Sequence, residues 1–234
     1  LMTADEKNRM QKKWDTEIKS LDSWSMFKVM GELVNGFDHY AKLGPCVAIF
    51  GSARTKENNP YYINAEETAC QLVKKGYGII TGGGPGIMEA GNRGAQRGGG
   101  LSAGCNIVLE FEQAANKYID TDKLVTFDYF FTRKTMFMRY AQGFIVFPGG
   151  FGTFDELFEA ITLIQTKKIA KFPIILFGSK YWNGLFQWVK ECVLEQEHNI
   201  SEKDLEIYNI VDTPEEAVKI IEDFYRNYEH KPNF

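Results

Sequence analysis

The stretch GFIVFPGGFGTFDELFEA, residues 143–160, contains the pattern on which the fold depends. It begins with an apolar run typical of a buried strand, passes through a glycine-rich turn and ends in a segment with helical spacing. Strand, turn and helix in this order are the repeating unit of α/β proteins, in which successive strands lie parallel. The fold class therefore depends on whether the rest of the chain repeats the unit.

The alternation does continue along the chain. Apolar runs predict strands at 46–53, 77–84, 102–109, 123–130, 143–150, 172–178 and 207–212, and helices are predicted at 61–75, 85–98, 132–142, from the opening motif to 168, 181–195 and 214–228. Strands that are apolar throughout are buried on both faces, so the pattern predicts a doubly wound parallel sheet with helices on both faces. We expect one domain, 1–234, whose residues 1–44 form an N-terminal helical extension interrupted at Gly31 and Gly36.

Composition and charge exclude several classes of protein. A net charge of −4 argues against a nucleic-acid-binding surface, and no apolar run reaches the roughly 20 residues that a membrane span requires. The polar N-terminus does not resemble a signal peptide. The four cysteines lie far apart without a CxxC pair, and the three histidines are isolated, so we expect reduced thiols, a cytoplasmic location and no metal site.

Three predicted strands end in small residues, at 51–53, 81–84 and 148–150. Ligands of open parallel sheets bind outside the carboxyl ends of the strands. If these strands are neighbours, the three turns line one crevice. Ser52, in the first turn, is then a candidate ligand-binding residue.

Glycines in two of the turns favour phosphate binding. Gly82, Gly83 and Gly84 let a ligand approach the backbone before a helix whose first N–H groups are free, although the same glycines could simply permit tight strand-to-helix packing. The segment fits neither the GxGxxG dinucleotide fingerprint nor a P-loop. Three further glycines and a threonine could cup a phosphate at the end of the fifth strand: Gly149, Gly150, Gly152 and Thr153.

Glu156 has two interpretations. Thr153-x-x-Glu156 matches a capping box, and Asp155 and Glu156 would also suit a helix start as surface acids. The alternative is a working carboxylate beside the phosphate loop. Arg133 begins the helix before the motif strand and should reach the same crevice, where a guanidinium could pair with a carboxylate or hold an anionic group. Lys134 and Arg139 could equally form a solvated basic face.

Four segments resemble the Lonely Guy family of cytokinin riboside 5′-monophosphate phosphoribohydrolases. PGGFGTFDE at 148–156 fits the family signature PGGxGTxxE, and TRKTMFM at 132–138 is similar to its arginine-lysine motif. FGSAR at 50–54 and TGGGPGIMEAGNRGA at 81–95 also resemble family segments, in the same order. Members are often labelled lysine decarboxylases, but no pattern here is typical of a pyridoxal-binding lysine.

The resemblance implies a Rossmann-like fold, at least a homodimer, and hydrolysis of the N-glycosidic bond of a nucleoside 5′-monophosphate without a cofactor. Arg133 and Glu156 fall on the family's catalytic pair, and the glycines and threonine of 149–153 fall on its phosphate loop. Further substrate contacts implied by the resemblance are Lys134, Glu112 and Thr162.

The sequence leaves the base open: adenine from AMP, an isopentenylated adenine and other bases all fit. A non-catalytic nucleotide or cofactor carrier of the same fold is the main alternative function. A dinucleotide-dependent oxidoreductase, with Glu110 or Glu112 as the ribose-binding acid, is weakened by the broken fingerprint.

Overall fold

A seven-stranded parallel sheet forms the centre of the protein. The computed structural model describes residues 2–109 and 114–234, except for the side chains of residues 4, 13 and 15–21 in the first helix. The strands are β1 (Cys46–Phe50), β2 (Gly78–Thr81), β3 (Ser102–Ile107), β4 (Leu124–Phe127), β5 (Ala141–Val146), β6 (Ile174–Phe177) and β7 (Tyr208–Val211). Their order in the sheet is β4-β3-β2-β1-β5-β6-β7. Every neighbouring pair is parallel.

Within the described residues, seven α-helices surround the sheet. They are α1 (Ala4–Tyr40), α2 (Pro60–Lys74), α3 (Ile87–Arg97), α4 (Phe130–Tyr140), α5 (Phe151–Gln165), α6 (Ser179–Trp188) and α7 (Pro214–Tyr225). A π-helix at Val189–Gln196 continues α6, and short 3₁₀ helices lie at Thr121–Lys123 and Glu202–Ile207. The predicted order of strands and helices is confirmed, with most boundaries moved inward by a few residues.

Each face of the sheet carries its own apolar core. Along β1, Val47 and Ile49 point into the core beneath α2, α3 and α7, whereas Ala48 and Phe50 point into the core beneath α1, α4, α5 and α6. This two-residue alternation is that of a strand covered on both sides. The prediction of a doubly wound parallel sheet is thereby confirmed.

Helix α1 corrects one expectation from the sequence. Gly31 and Gly36 do not interrupt it, and the helix runs for 37 residues. Gly36 is buried, and a Cβ there would lie 2.6 Å from Met136 Sδ. Gly36 is therefore the position where α1 and α4 come close together, which explains a glycine inside a helix despite its conformational cost.

The start of α3 also differs from the prediction. The helix begins at Ile87, and Pro85 precedes it instead of opening it. Between them, Gly86 has a φ of +68°, and a Cβ there would lie 2.3 Å from the carbonyl oxygen of Ser52. Only glycine combines this backbone conformation with so close an approach to the β1 loop.

None of the helices in the described ranges is long and apolar enough to cross a membrane.

Candidate active site

The strand order reverses between β1 and β5, and a cleft of about 900 Å³ opens at their carboxyl ends. This is the position at which doubly wound sheets bind ligands. Seven residues predicted for the site line the cleft, namely Ser52, Arg133, Gly149, Gly150, Gly152, Thr153 and Glu156. Ser52 and Glu156, which lie 104 positions apart in the chain, thus meet in one depression.

The loops after β1 and β5 support each other at the floor of the cleft. The Ser52 N–H donates to the Pro148 carbonyl at 3.0 Å, and the Ile87 N–H donates to the Ser52 carbonyl at 3.1 Å. The β1 loop is therefore held both by the β5 loop and by the start of α3. The predicted turns at 51–53 and 148–150 line the cleft directly, and the turn at 81–84 lies behind it.

The turn after β5 presents a helix start to the cleft. Gly150 precedes the first residue of α5, and no described side chain caps this end of the helix. The first turn of α5 contains no acidic residue. Because the first N–H groups of a helix lack intrahelical acceptors, this end of α5 has the chemistry of an anion-binding site.

The capping-box interpretation of Glu156 is wrong. Thr153 is the third residue of α5 and Glu156 the sixth, so neither stands where a capping box requires it. Thr153 is buried against Gly149. Glu156 therefore lies in the second turn of α5, with no part in starting the helix.

Glu156 is a buried acid. Its residue is only 4% exposed, and its Oε2 atom has no hydrogen-bond partner within the described ranges. Burial raises the pKa of Glu156 to about 7, against the opposing effect of the positive charges of Arg133 and Lys134. A perturbed carboxyl group that faces a cleft without a structural partner is characteristic of functional sites.

Arg133 enters the cleft from the fourth position of α4. Its guanidinium carbon lies 5.6 Å from the centre of the Phe137 ring and 6.0 Å from that of Phe130. Its Nε atom is buried and, among the residues described, has no acceptor. A Cβ on Gly82 would lie 2.6 Å from Arg133 Nη2, so the glycine at the end of β2 makes room for the guanidinium.

Gly83 and Gly84 shape the turn behind the cleft. Asn116 Nδ2 donates to the carbonyls of Gly83 and Gly84, at 3.2 Å and 3.0 Å, and also to Asn92 Oδ1 at 2.9 Å. Thr81 Oγ1 joins the same buried network by donating to Asn92 at 2.6 Å. The predicted binding residues Gly83 and Gly84 thus shape the turn behind the cleft.

The predicted substrate contact Glu112 lies outside the described residues.

Lys134 and Thr162 are not brought into the main cleft. Both line a separate shallow hollow on the outer side of α5. Lys134 Nζ lies 2.9 Å from Asp155 Oδ1 and 2.6 Å from Glu159 Oε2. The Thr162 hydroxyl donates to the Phe158 carbonyl at 2.7 Å. Within a single chain, both side chains already have partners of their own.

Sequence reasoning missed Tyr181, which belongs to α6. Its hydroxyl donates to the Gly149 carbonyl at 2.6 Å, and the side chain lines the cleft. Arg54 and Asn59 line the same cleft. Arg54 directly follows the small-residue turn at 51–53 and could have been chosen for that reason. No local pattern marks Tyr181, since only the folding of the chain brings α6 to the β5 loop.

The fit between Gly149 and Thr153 leads to a prediction for stability. A Cβ on Gly149 would lie 2.1 Å from Thr153 Oγ1, which is held in a rigid helix. We expect Gly149→Ala to lower the free energy of unfolding by about 1–3 kcal/mol, as overpacking does. Gly152→Ala is the matched control, because no atom of the described residues outside the helix's own backbone and the adjacent residues lies within 4 Å of a Cβ there. Thermal melts of both variants test this, and equal melting temperatures would contradict the fit.

The sequence matches the model of a known family. A family model described as "Possible lysine decarboxylase" matches residues 88–221, which is more than half of the chain. The chain therefore belongs to this family. Curated relatives carry the names phosphoribohydrolase and nucleotide 5′-monophosphate nucleosidase, which confirms the resemblance to the Lonely Guy family seen in the sequence.

One relative is the "Probable cytokinin riboside 5′-monophosphate phosphoribohydrolase" of Oryza sativa subsp. japonica, 29% identical over 64% of this chain and 61% of its own length. Another is the "Pyrimidine/purine nucleotide 5′-monophosphate nucleosidase" of Escherichia coli K12, 28% identical over 74% of this chain and 39% of its own length. The chain thus spans less than two thirds of both relatives.

Among solved structures, the molybdenum cofactor binding protein of Rippkaea orientalis is similar, with a TM-score of 0.57 and 19% identity. The match covers 78% of this chain and 98% of that one. At this identity the similarity concerns the fold alone. It agrees with the doubly wound, Rossmann-like architecture described above.

Proposed function

We propose that this chain hydrolyses the N-glycosidic bond of a nucleoside 5′-monophosphate, such as AMP or a cytokinin riboside 5′-monophosphate, to a free base and ribose 5-phosphate. One observation carries the proposal. The Glu156 carboxyl group and the Arg133 guanidinium face one cleft beside the uncapped N-terminus of α5. In the described structure, each of the two groups has a buried polar atom without a hydrogen-bond partner. The names of the relatives agree with this chemistry.

The helix start after β5 would hold the substrate phosphate. Gly150 and Gly152 expose backbone N–H groups without side chains in the way, and Thr153 supplies a hydroxyl near the floor of the cleft. Ser52 faces the same space from the β1 loop. Binding a phosphate remote from the scissile bond supplies energy for orienting the ribose.

Glu156 would act on the ribose. Breaking the C1′–N bond builds positive charge on the sugar, as in glycoside hydrolysis, and an ionised carboxylate stabilises that charge. The same carboxylate accepts a proton from the attacking water, whose hydroxyl bonds to C1′. A pKa of about 7 suits a general base that works near neutral pH.

Arg133 would act on the departing base. The electrons of the C1′–N bond leave with the base, which must gain a proton or a hydrogen bond. A guanidinium donates hydrogen bonds in a fixed plane and keeps its charge throughout, so it orients the base and stabilises its developing negative charge. The base leaves as an anion and takes a proton from solvent, while Glu156 returns the proton of the attacking water to solvent. Overall, water is added across the bond, with hydroxyl on the sugar and hydrogen on the base.

A panel of nucleotides tests the function. Purified protein is incubated with 5′-monophosphates of purines, isopentenylated adenine and pyrimidines, and chromatography follows the free base and ribose 5-phosphate. We expect equal amounts of the two products from at least one monophosphate and none from the corresponding nucleoside. Release from no monophosphate would favour the alternative function, a non-catalytic nucleotide or cofactor carrier.

A homo-oligomer is also part of the proposal. Helix α1 exposes a row of large apolar side chains, with Trp24 at 78% and Phe27 at 68% exposure, and Phe151 beside the cleft is 91% exposed. Apolar surface of this extent is typical of an interface. Sedimentation equilibrium at micromolar concentration measures the mass, and a single-chain mass would contradict the proposal.

The buried free thiols of Cys46, Cys70 and Cys105 are consistent with a cytoplasmic protein.

A further inference from the structure

We infer that Glu32, in the N-terminal helix α1, is a positioning residue for Arg133 and acts through the first turn of α4. This inference rests on the proposed function, because Arg133 is assigned its role there. Glu32 and Arg133 are about one hundred residues apart in the chain, so the link exists only in the folded protein.

In the part of the chain that the structure describes, helix α4 has no side-chain cap of its own. Tyr129 precedes its first residue and makes no capping hydrogen bond through its side chain, and the first turn contains no acid. The first helical bond, from the Arg133 N–H to the Tyr129 carbonyl, is long at 3.3 Å. A helix start of this kind frays unless another element supplies acceptors for it.

Glu32 of α1 holds this helix start from outside, through the N–H of the residue before the N-cap and through a hydroxyl of the first turn. Its Oε1 accepts a hydrogen bond from the Asp128 N–H at 2.7 Å, and its Oε2 lies 2.6 Å from the Thr132 hydroxyl. Thr132 is fully buried, and its single hydroxyl proton is shared between Glu32 and the Tyr129 carbonyl at 2.8 Å. The negative charge of Glu32 also suits the positive end of the α4 dipole.

Two further contacts hold α1 against this segment. Lys28 Nζ lies 2.6 Å from Asp128 Oδ2, one helical turn before Glu32. Gly36, one turn after Glu32, lets α1 approach Met136 of α4. Glu32 thus stands at the centre of a docking surface, and its two hydrogen bonds are the ones that reach the helix start.

The start of α4 determines where Arg133 lies. Thr132 is its direct neighbour in the chain, and Arg133 Nε is buried without an acceptor among described residues. The position of the guanidinium therefore depends largely on the position of the backbone at the start of α4. A displacement of about 1 Å in a catalytic group can cost on the order of a hundredfold in rate.

Turnover by three variants tests the inference. We expect Glu32→Ala to lower kcat about tenfold or more while KM changes less than about twofold, because the substrate phosphate binds elsewhere. Glu32→Gln keeps the size and one acceptor oxygen, so kcat should stay within roughly threefold of the original. Asp38→Ala is the matched control, since Asp38 lies on the same helix and pairs with nearby Lys42 in an exposed position.

Hydrogen–deuterium exchange of peptides covering 128–133 provides a readout that does not need turnover. Exchange should be at least about fivefold faster in Glu32→Ala than in the original protein or in Asp38→Ala. If the original protein releases no base, the proposed function fails, and accelerated exchange still shows that Glu32 holds this helix start. Unchanged exchange overturns the inference, as does a kcat loss that is equal in Glu32→Gln and Glu32→Ala.

Discussion

Replacing Glu156 with glutamine should abolish base release and, above pH 7, make the protein more stable. Turnover is lost because an amide can neither stabilise positive charge on the ribose nor accept a proton from water. Stability rises because burial raises the pKa of this carboxyl from 4.5 to about 7, so the ionised form is penalised in the folded state by at most on the order of 3 kcal/mol. Product chromatography and thermal melts at pH 8 measure the two effects.

The pH dependence follows from the direction of this shift. The folded protein holds the Glu156 proton more tightly than the unfolded chain does, so this group contributes a loss of stability that grows as pH rises from 4.5 to about 7. We therefore expect the melting-temperature gain of Glu156→Gln, up to roughly 10 °C at pH 8, to shrink markedly at pH 5. Because the ionised form is the active one, kcat/KM of the unmodified protein should rise with pH and level off above about 7.

Glu159→Gln is the matched control, one turn further along α5. It removes a carboxylate that pairs with Lys134 at 2.6 Å, so it should lower stability slightly and leave most of the turnover intact. Full activity in Glu156→Gln together with a lower melting temperature would contradict both the catalytic role and the buried-acid argument.

Arg133→Lys should lower kcat by roughly 10²–10³-fold, which is the cost of removing one well-placed donor from a transition state. The substitution keeps the positive charge, but an ammonium group lacks the planar fork and sits on a shorter chain. The guanidinium packs closely over Gly82, since a Cβ on this glycine would lie 2.6 Å from Arg133 Nη2. Steady-state kinetics with the best monophosphate from the panel measure the loss.

Arg139→Lys makes the same change six residues further along α4, outside the cleft. Arg139 stacks against Phe37 and Phe234 and lies near the C-terminal residues. We expect kcat to change less than about twofold there, even if the melting temperature falls. A lysine that serves as well as arginine at position 133 would mean that charge alone is needed and would refute the positional role of the guanidinium.

The order of strands and helices was readable from the sequence because its signals are local. Apolar runs such as GFIVF at 143–147 mark strands wherever they stand, and the glycine turns mark the strand ends that face the ligand. The same local signals marked six of the seven predicted residues that line the cleft, and they left Glu156 between a helix cap and a working carboxylate. The family motifs added the pairing of Arg133 with Glu156.

The helix boundaries were less readable, and this affected the site. The pattern Thr153-x-x-Glu156 looks like a capping box, yet the helix begins at Phe151, and Glu156 falls in its second turn. Propensity does not choose between these starts, because both place Thr153 and Glu156 in acceptable helical positions. In the folded chain the helix begins at Phe151, and Thr153 packs against Gly149 from its first turn.

The doubly wound class, the crevice at the strand ends and the residue types that work there follow from local patterns in the amino-acid sequence. Which groups are buried, and what holds them, depends on the folded chain: the pKa of Glu156, the space for Arg133 against Gly82, the bond from Tyr181 to Gly149 and the bonds from Glu32 to the start of α4. Burial and contacts between distant segments arise from packing the whole chain, and no local pattern encodes them.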